Sequence, residues 1–327
     1  MDQKKIAVKI FAEGITDEIK EYLPPEYEDM ECEMAENVRM NGITRIGICF
    51  HMPDQRVSPV IYMEGFYDAV RNGKPLEEIK EEIADLIVKN SGRDINIPGG
   101  STGMDFDLAK ECLSIRLVNT NANRAMLSSV PHMKVENLSI MFTLNLKERD
   151  EPDTIGSIKV TNDMMLQWGI DKKELYQAAM QNVLDKETPV LRSMEEMLSS
   201  IVVHQNSRNL LQEKNPFRLG DEMGFILTNK EGIYGAAALF YPGVMDKISS
   251  IFPEGFYVIP SSTHELIIIS KSNRIAAKEL GETVREVNKE VVDREEYLSD
   301  RVYEYDKEQK KIRQVTESMK KEKAVER

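Results

Sequence analysis

The chain has 327 residues, of which 41% are hydrophobic and 30% charged, enough to bury a sizeable core and too apolar for disorder over most of its length. Its 56 acidic against 43 basic residues give a net charge of -13, which repels phosphate backbones and disfavours direct nucleic-acid binding. Three widely spaced cysteines supply neither a disulfide framework nor zinc spacing, and no apolar run approaches the roughly 18 residues of a membrane span, so a cytoplasmic protein with no membrane association is expected.

The first element expected is a helix over Lys4 to Leu23, with Ile6, Ile10, Ile15, Ile19 and Tyr22 as its apolar stripe and Pro24-Pro25 as its stop. The period then switches to two. Met30, Cys32 and Met34 alternate with acidic residues, Val38 and Met40 continue after a slip that reads as a bulge, and Asn41-Gly42 supplies a tight turn before Ile46, Ile48 and Phe50. A short strand from Val57 to Met63 follows. Pro75 then opens a helix striped by Leu76, Ile79, Ile83, Leu86 and Ile87.

Arg93 to Gly103 reads as a loop, Leu113 to Val118 and Leu138 to Leu146 as strands, Lys147 to Asp153 as an exposed turn, and His204 to Asp221 as a second linker. Asp171 and Glu174 form a capping box, with Ile170 placed to staple against Leu175. Further on, Phe225 to Thr228 and Ile233 to Phe240 suggest a hairpin around Asn229 to Gly232. Pro242 opens a helix, Phe256 to Ile259 and Glu265 to Ile269 form a second strand pair, and a helix carries Ala276, Leu280, Val284 and Val287. The expected class is α+β, with antiparallel sheet, helices packed on one face, and ββαββα order in the C-terminal part. The expected organisation is an N-terminal module over residues 1–95, a larger domain over 104–306, and a charged tail over 307–327 that reads as frayed helix or disorder.

Several stretches in combination carry a resemblance: Ser58 to Tyr67, Val130-Pro131-His132, Leu227-Thr228-Asn229 with Tyr234 to Ala237, Pro260 to Glu265, Val287-Asn288, and Leu298 to Tyr303. Together they resemble an uncharacterised bacterial family, the domain of unknown function 5688 type, whose members occur mainly in anaerobic Gram-positive bacteria and often on integrated mobile elements. Trp168 to Asn182 is also similar to a second, broader uncharacterised bacterial family. The resemblance implies a bacterial, intracellular protein of the accessory genome. It implies no activity, because none is established for the family.

The sharpest chemical cluster is Pro260 to Glu265, where Ser261, Ser262, His264 and Glu265 could supply a nucleophile, a base or a binding pocket, with Asn229, Tyr241 or Tyr303 joining them. Read as a strand, the segment puts Ser262 and His264 on one face and Glu265 on the other, which leaves a triad without its acid. The plainer reading is a turn whose hydroxyls cap local backbone. Gly99 to Gly103 matches the Gly-x-Ser-x-Gly spelling of a nucleophile elbow, but the residues before it are too short and polar for the strand that an elbow needs. The four histidines lack metal-ligand spacing, so no metal, no cofactor and no catalytic residue is assigned. The leading expectation is a non-catalytic interaction or regulatory protein with an unidentified protein partner, accessory to a mobile element. The alternative is a small-ligand binder or hydrolase-like enzyme built on the turn at Ser261, Ser262 and His264.

Overall fold

A computed structural model describes residues 3–53, 58–91, 104–147, 155–203, 208–213 and 224–315. The chain divides into two compact units, Met1–Ile97 with Leu146–Gly156 and Pro98–Asn145 with Ser157–Arg327. The Gly99 to Gly103 run, most of the turn at Lys147 to Asp153, most of the linker at His204 to Asp221, and residues 316–327 lie outside the described residues.

The first unit runs α1 (Gln3–Glu18), β1 (Glu31–Val38), β2 (Thr44–His51), β3 (Val60–Tyr62), α2 (Glu64–Arg71) and α3 (Leu76–Asn90). The helix α1 begins where the apolar spacing put it but ends at Glu18, followed by a 3-10 turn over Ile19–Tyr22, and the buried stripe is Val8, Ala12 and Ile15 with Ile19 of that turn, while Ile6 and Ile10 are 41% and 63% exposed. At about 100° per residue, Ile6 lies roughly half a turn round the helix from Ile15, so the two cannot share a face. The strands β1 and β2 pair antiparallel without interruption from Glu31 opposite His51 to Val38 opposite Thr44, so no bulge breaks the ladder there. The extra residue sits instead at Arg39, whose N–H reaches the Ile43 carbonyl at 2.7 Å. Beside it, Asn41 and Gly42 both take positive φ, 58° and 70°, which is the backbone of a type I′ turn.

Ile46, Ile48 and Phe50 of β2 bury against α1 and against Ile79, Ile83 and Ile87 of α3. The buried aliphatic stem of Lys80 ends in an ammonium bonded to Glu18 at 2.6 Å and Glu77 at 2.9 Å, which holds its pKa well up.

The second unit runs α4 (Phe106–Ala109), β4 (Leu113–Asn119), α5 (Arg124–Leu127), β5 (His132–Val135), β6 (Leu138–Lys147), β7 (Ile155–Lys159), α6 (Asn162–Gln167), α7 (Lys172–Lys186), β8 (Pro189–Ser193), α8 (Met194–Val203), β9 (Phe225–Asn229), α9 (Val244–Ile251), β10 (Phe256–Pro260), β11 (Leu266–Ser270), α10 (Ala277–Glu290), β12 (Tyr303–Asp306) and β13 (Lys311–Gln314). Two sheets result, β4-β6-β5 with β7 beside β6, and a six-stranded sheet ordered β13-β12-β10-β11-β9-β8. The α+β class is therefore as expected. The capping box at α7 forms with both reciprocal bonds, and Trp168 packs on Phe106 with its Nε1–H on the Met104 carbonyl at 2.8 Å.

Three expectations change. The expected strand over Ile233 to Phe240 is a 3-10 turn at Gly235–Phe240, and the ladder partners of β9 are β8 and β11. Residues 235–239 are small or apolar and buried all round, so they carry no alternation that distinguishes a strand from a tight helical turn.

Helices also cover both faces of the six-stranded sheet at its centre. Phe256, Val258, Leu266 and Ile268 join the main core with Ile248 and Phe252, whereas Ile259 and Ile269 join Val284 of α10 and Val302. Alternation along each strand puts these two sets on opposite faces, so apolar side chains on both sides need cover. Finally, Lys311–Gln314, inside the segment read as a charged tail, pairs with β12 and buries Ile312.

Candidate functional site

The loop joining β10 to β11 holds Ser261, Ser262, His264 and Glu265. It is a tight turn in which the Ser262 hydroxyl accepts the His264 N–H at 3.1 Å and the Ser262 N–H reaches the Glu265 carbonyl at 3.3 Å. Thr263 anchors it, donating its N–H to the Glu296 carbonyl at 2.8 Å and accepting from Ala236 N–H at 3.2 Å. Ser261 is half-buried beside it.

Both nitrogens of His264 are engaged. Nδ1 accepts the Tyr234 N–H at 3.2 Å, so in the neutral ring the proton sits on Nε2, which faces Glu296 Oε1 at 3.3 Å. The carbonyl of His264 accepts the Thr228 hydroxyl at 2.8 Å. Its ring stacks on Tyr234 with centroids 5.3 Å apart, and the Arg116 guanidinium carbon lies 3.4 Å from the centre of the Tyr234 ring. Tyr234 itself has φ 53°, an uncommon conformation for a bulky residue, and the next residue is a glycine where an added Cβ would collide with the backbone of Asn229 and His264. Burial raises the pKa of the Glu265 carboxyl, and the neighbouring His264 offsets part of that rise.

Asn229 and Tyr241 come together at the two ends of the segment that carries Tyr234. The Asn229 side chain brackets Ile233, donating to its carbonyl at 2.9 Å and accepting its N–H at 3.2 Å. Tyr241 donates its hydroxyl to Glu187, which also accepts the Ser114 hydroxyl. Desolvation raises the pKa of both groups, and the Glu187 charge lifts Tyr241 further. Tyr303 belongs to a different cluster. Its buried hydroxyl bonds Asn137 and, at 3.0 Å, Ser299, and burial pushes its pKa up to about 12.

Sequence reasoning missed Arg116, Ser114, Glu187, Tyr234 and Glu296. A signal for the first two was present, since Ser114 and Arg116 are the polar residues two apart in an otherwise apolar strand, the spacing of one strand face. Also unforeseen is a contact chain in the first unit, where Ser58 Oγ lies 2.5 Å from His51 Nδ1 and His51 Nε2 lies 3.4 Å from Glu33. Such an order resembles nucleophile, base and acid, but the preceding residues 54–57 are outside the described set, so no site is built on it. His132 bonds locally to the Val130 carbonyl at 3.0 Å.

Among the described residues no three His, Cys, Asp or Glu side chains lie together so as to hold a metal ion. No helix among them is long and apolar enough to cross a membrane. No curated protein and no solved structure matches the chain. A family model does match, over residues 8–307 and therefore across both units, and the chain belongs to that family, a family of unknown function (DUF5688).

Proposed function

We propose that this is a non-catalytic interaction or regulatory protein of the bacterial cytoplasm, and that it presents Tyr234, Ser261, Ser262, His264, Glu265 and Glu296 to a protein partner. The observation that carries the reading is the double engagement of His264. With Nδ1 accepting a backbone N–H and Nε2 facing Glu296, the imidazole can take no proton from a serine without giving up the bond that positions it. The Ser262 hydroxyl is likewise committed to the turn, as an acceptor. A rigid surface with polar groups already in place favours recognition, because little side-chain freedom is lost on binding. The link to mobile elements that the family resemblance implies directs the search for the partner towards the DNA-processing proteins of such elements.

The test is nuclease-treated affinity capture from the native host, followed by mass spectrometry, with wild type and His264→Ala. The expected result is a stoichiometric protein that the variant loses. Hydrogen exchange of the purified pair is then expected to protect residues 229–236 and 260–266. Retention of that partner by His264→Ala would overturn the assignment of the surface. Covalent labelling of Ser262 by a fluorophosphonate, abolished in His264→Ala, would replace the reading with a hydrolase.

A further inference from the structure

The three-stranded sheet of the first unit ends on β1, which pairs with β2 along its whole length and with no other strand among the described residues. Eight residues in unbroken register therefore turn alternate N–H and C=O groups outward. Regular edges of this kind are commonly blunted by a bulge, a proline or a lysine, and Glu31–Val38 contains none of these. The edge does carry three glutamates, and they are not equivalent. Glu36 is ion-paired with Lys9 and, at 2.9 Å, with Lys5 of α1, which holds its carboxyl below the usual range. Glu31 and Glu33 point to the other face, two residues apart and exposed, and among the described residues the imidazole of His51 lies beside Glu33, at 3.4 Å. Val38 at the end of the strand is 71% exposed.

We propose that β1 accepts an extended, basic segment of a protein partner as a fourth strand, with main-chain bonds along the edge and cationic side chains at alternate positions beside Glu31 and Glu33. The period-2 geometry supplies the match. On an added strand, residues i and i+2 share a face and fall opposite or diagonal to two edge residues that are also two apart. The same charges act against a second copy of this chain in two registers. Antiparallel self-pairing centred on Glu33 sets the two Glu33 side chains against each other, pairing centred on Cys32 sets Glu31 against Glu33, and like charges directly opposite are destabilising. Main-chain bonds would supply affinity and the two carboxylates would select the partner, the division of labour usual in strand addition. This site is in the first unit and stands independently of the His264 surface.

The test uses the full chain and a fluorescein-labelled decapeptide of alternating lysine and threonine, followed by anisotropy at low ionic strength. Wild type is expected to bind it. The same peptide N-methylated at every residue keeps its charge but donates no amide, and is expected to bind at least tenfold more weakly. Ala35→Pro and the double variant Glu31→Lys with Glu33→Lys are each expected to weaken the unmethylated peptide at least tenfold, while His264→Ala leaves it unchanged. Because Ala35→Pro risks the fold, the charge reversal at two exposed positions decides, with unchanged thermal unfolding as its control. Equal binding of the methylated peptide would reduce the effect to charge attraction and overturn the proposal. So would an unchanged affinity in the double variant, or no binding to wild type at all.

Discussion

Gly235 is the position where one added methyl group has the largest calculable consequence for the candidate surface. A Cβ built there falls against Thr228 Oγ1, 2.5 Å from the Asn229 amide nitrogen and 2.8 Å from the His264 carbonyl oxygen. Two of those three atoms are backbone, Asn229 lying opposite Pro189 in the β8–β9 ladder and His264 in the turn two residues before β11, so a rotamer change cannot relieve the contact. Gly235→Ala must therefore push the 229–235 loop away from the His264 turn. Overpacking of this kind costs about 1–3 kcal/mol. Separation of the loop and turn also strains two hydrogen bonds, Thr228 hydroxyl to the His264 carbonyl and Tyr234 N–H to Nδ1, each worth about 1 kcal/mol. The total is about 3–5 kcal/mol, which for a unit of this size lowers Tm by roughly 6–20 °C. Thermal and urea unfolding of the full chain measure it. Gly14→Ala is the control, because its Cβ meets nothing within 4 Å inside α1, and it is expected to stabilise by about 1 kcal/mol through helix propensity. A loss below about 1 kcal/mol for Gly235→Ala would refute the argument that the loop and turn are locked together.

Two further substitutions probe the buried polar groups. Burial raises the Glu187 carboxyl in the folded state, so its contribution to stability is whole below the unfolded carboxylate value and is lost as pH climbs through the raised one. Glu187→Gln is therefore expected to unfold much like wild type in acid and to gain on it across that window. Urea midpoints from pH 4 to 8 check this, and parallel curves would contradict it. Tyr303→Phe leaves Asn137 and Ser299 without their shared hydroxyl in a buried site, at a cost of about 1–2 kcal/mol, and an unchanged urea midpoint would show that water replaces it.

What the sequence discloses here is mostly local. Asn41-Gly42 between two alternating runs locates the β1–β2 turn because both residues tolerate positive φ. Asp171 and Glu174 locate the start of α7 because a cap is a contact over three residues. Legibility fails where a segment is apolar all round. Gly235-Ala236-Ala237-Ala238-Leu239 has no exposed side to report its period. It fails again at Ile6 and Ile10, whose spacing is helical but whose face is turned away from the core.

The candidate surface shows the same division. His264, Asn229 and Tyr241 stand out in the chain, and the structure joins Asn229 and Tyr241 to the ends of one loop that also contacts His264. Glu187, which takes the Tyr241 hydroxyl, Ser114, which bonds Glu187, and Arg116, which lies over the Tyr234 ring, come from strands and helix ends far away in sequence, and no spacing rule ties them to that loop.

Leu113, Ile115 and Leu117 of β4 share one core with Phe225, Leu227 and Phe256, which the ribosome makes much later. At about 5–20 residues per second, the roughly 110 residues separating Leu117 from Phe225 take on the order of five to twenty seconds to appear. The helix α7 emerges about halfway through that interval to cover the earlier strands, which still lack the rest of their apolar neighbours. A nascent chain paused between these segments is thus a natural client for holding chaperones, and slowing translation there should lower the soluble yield without altering any residue of the finished protein.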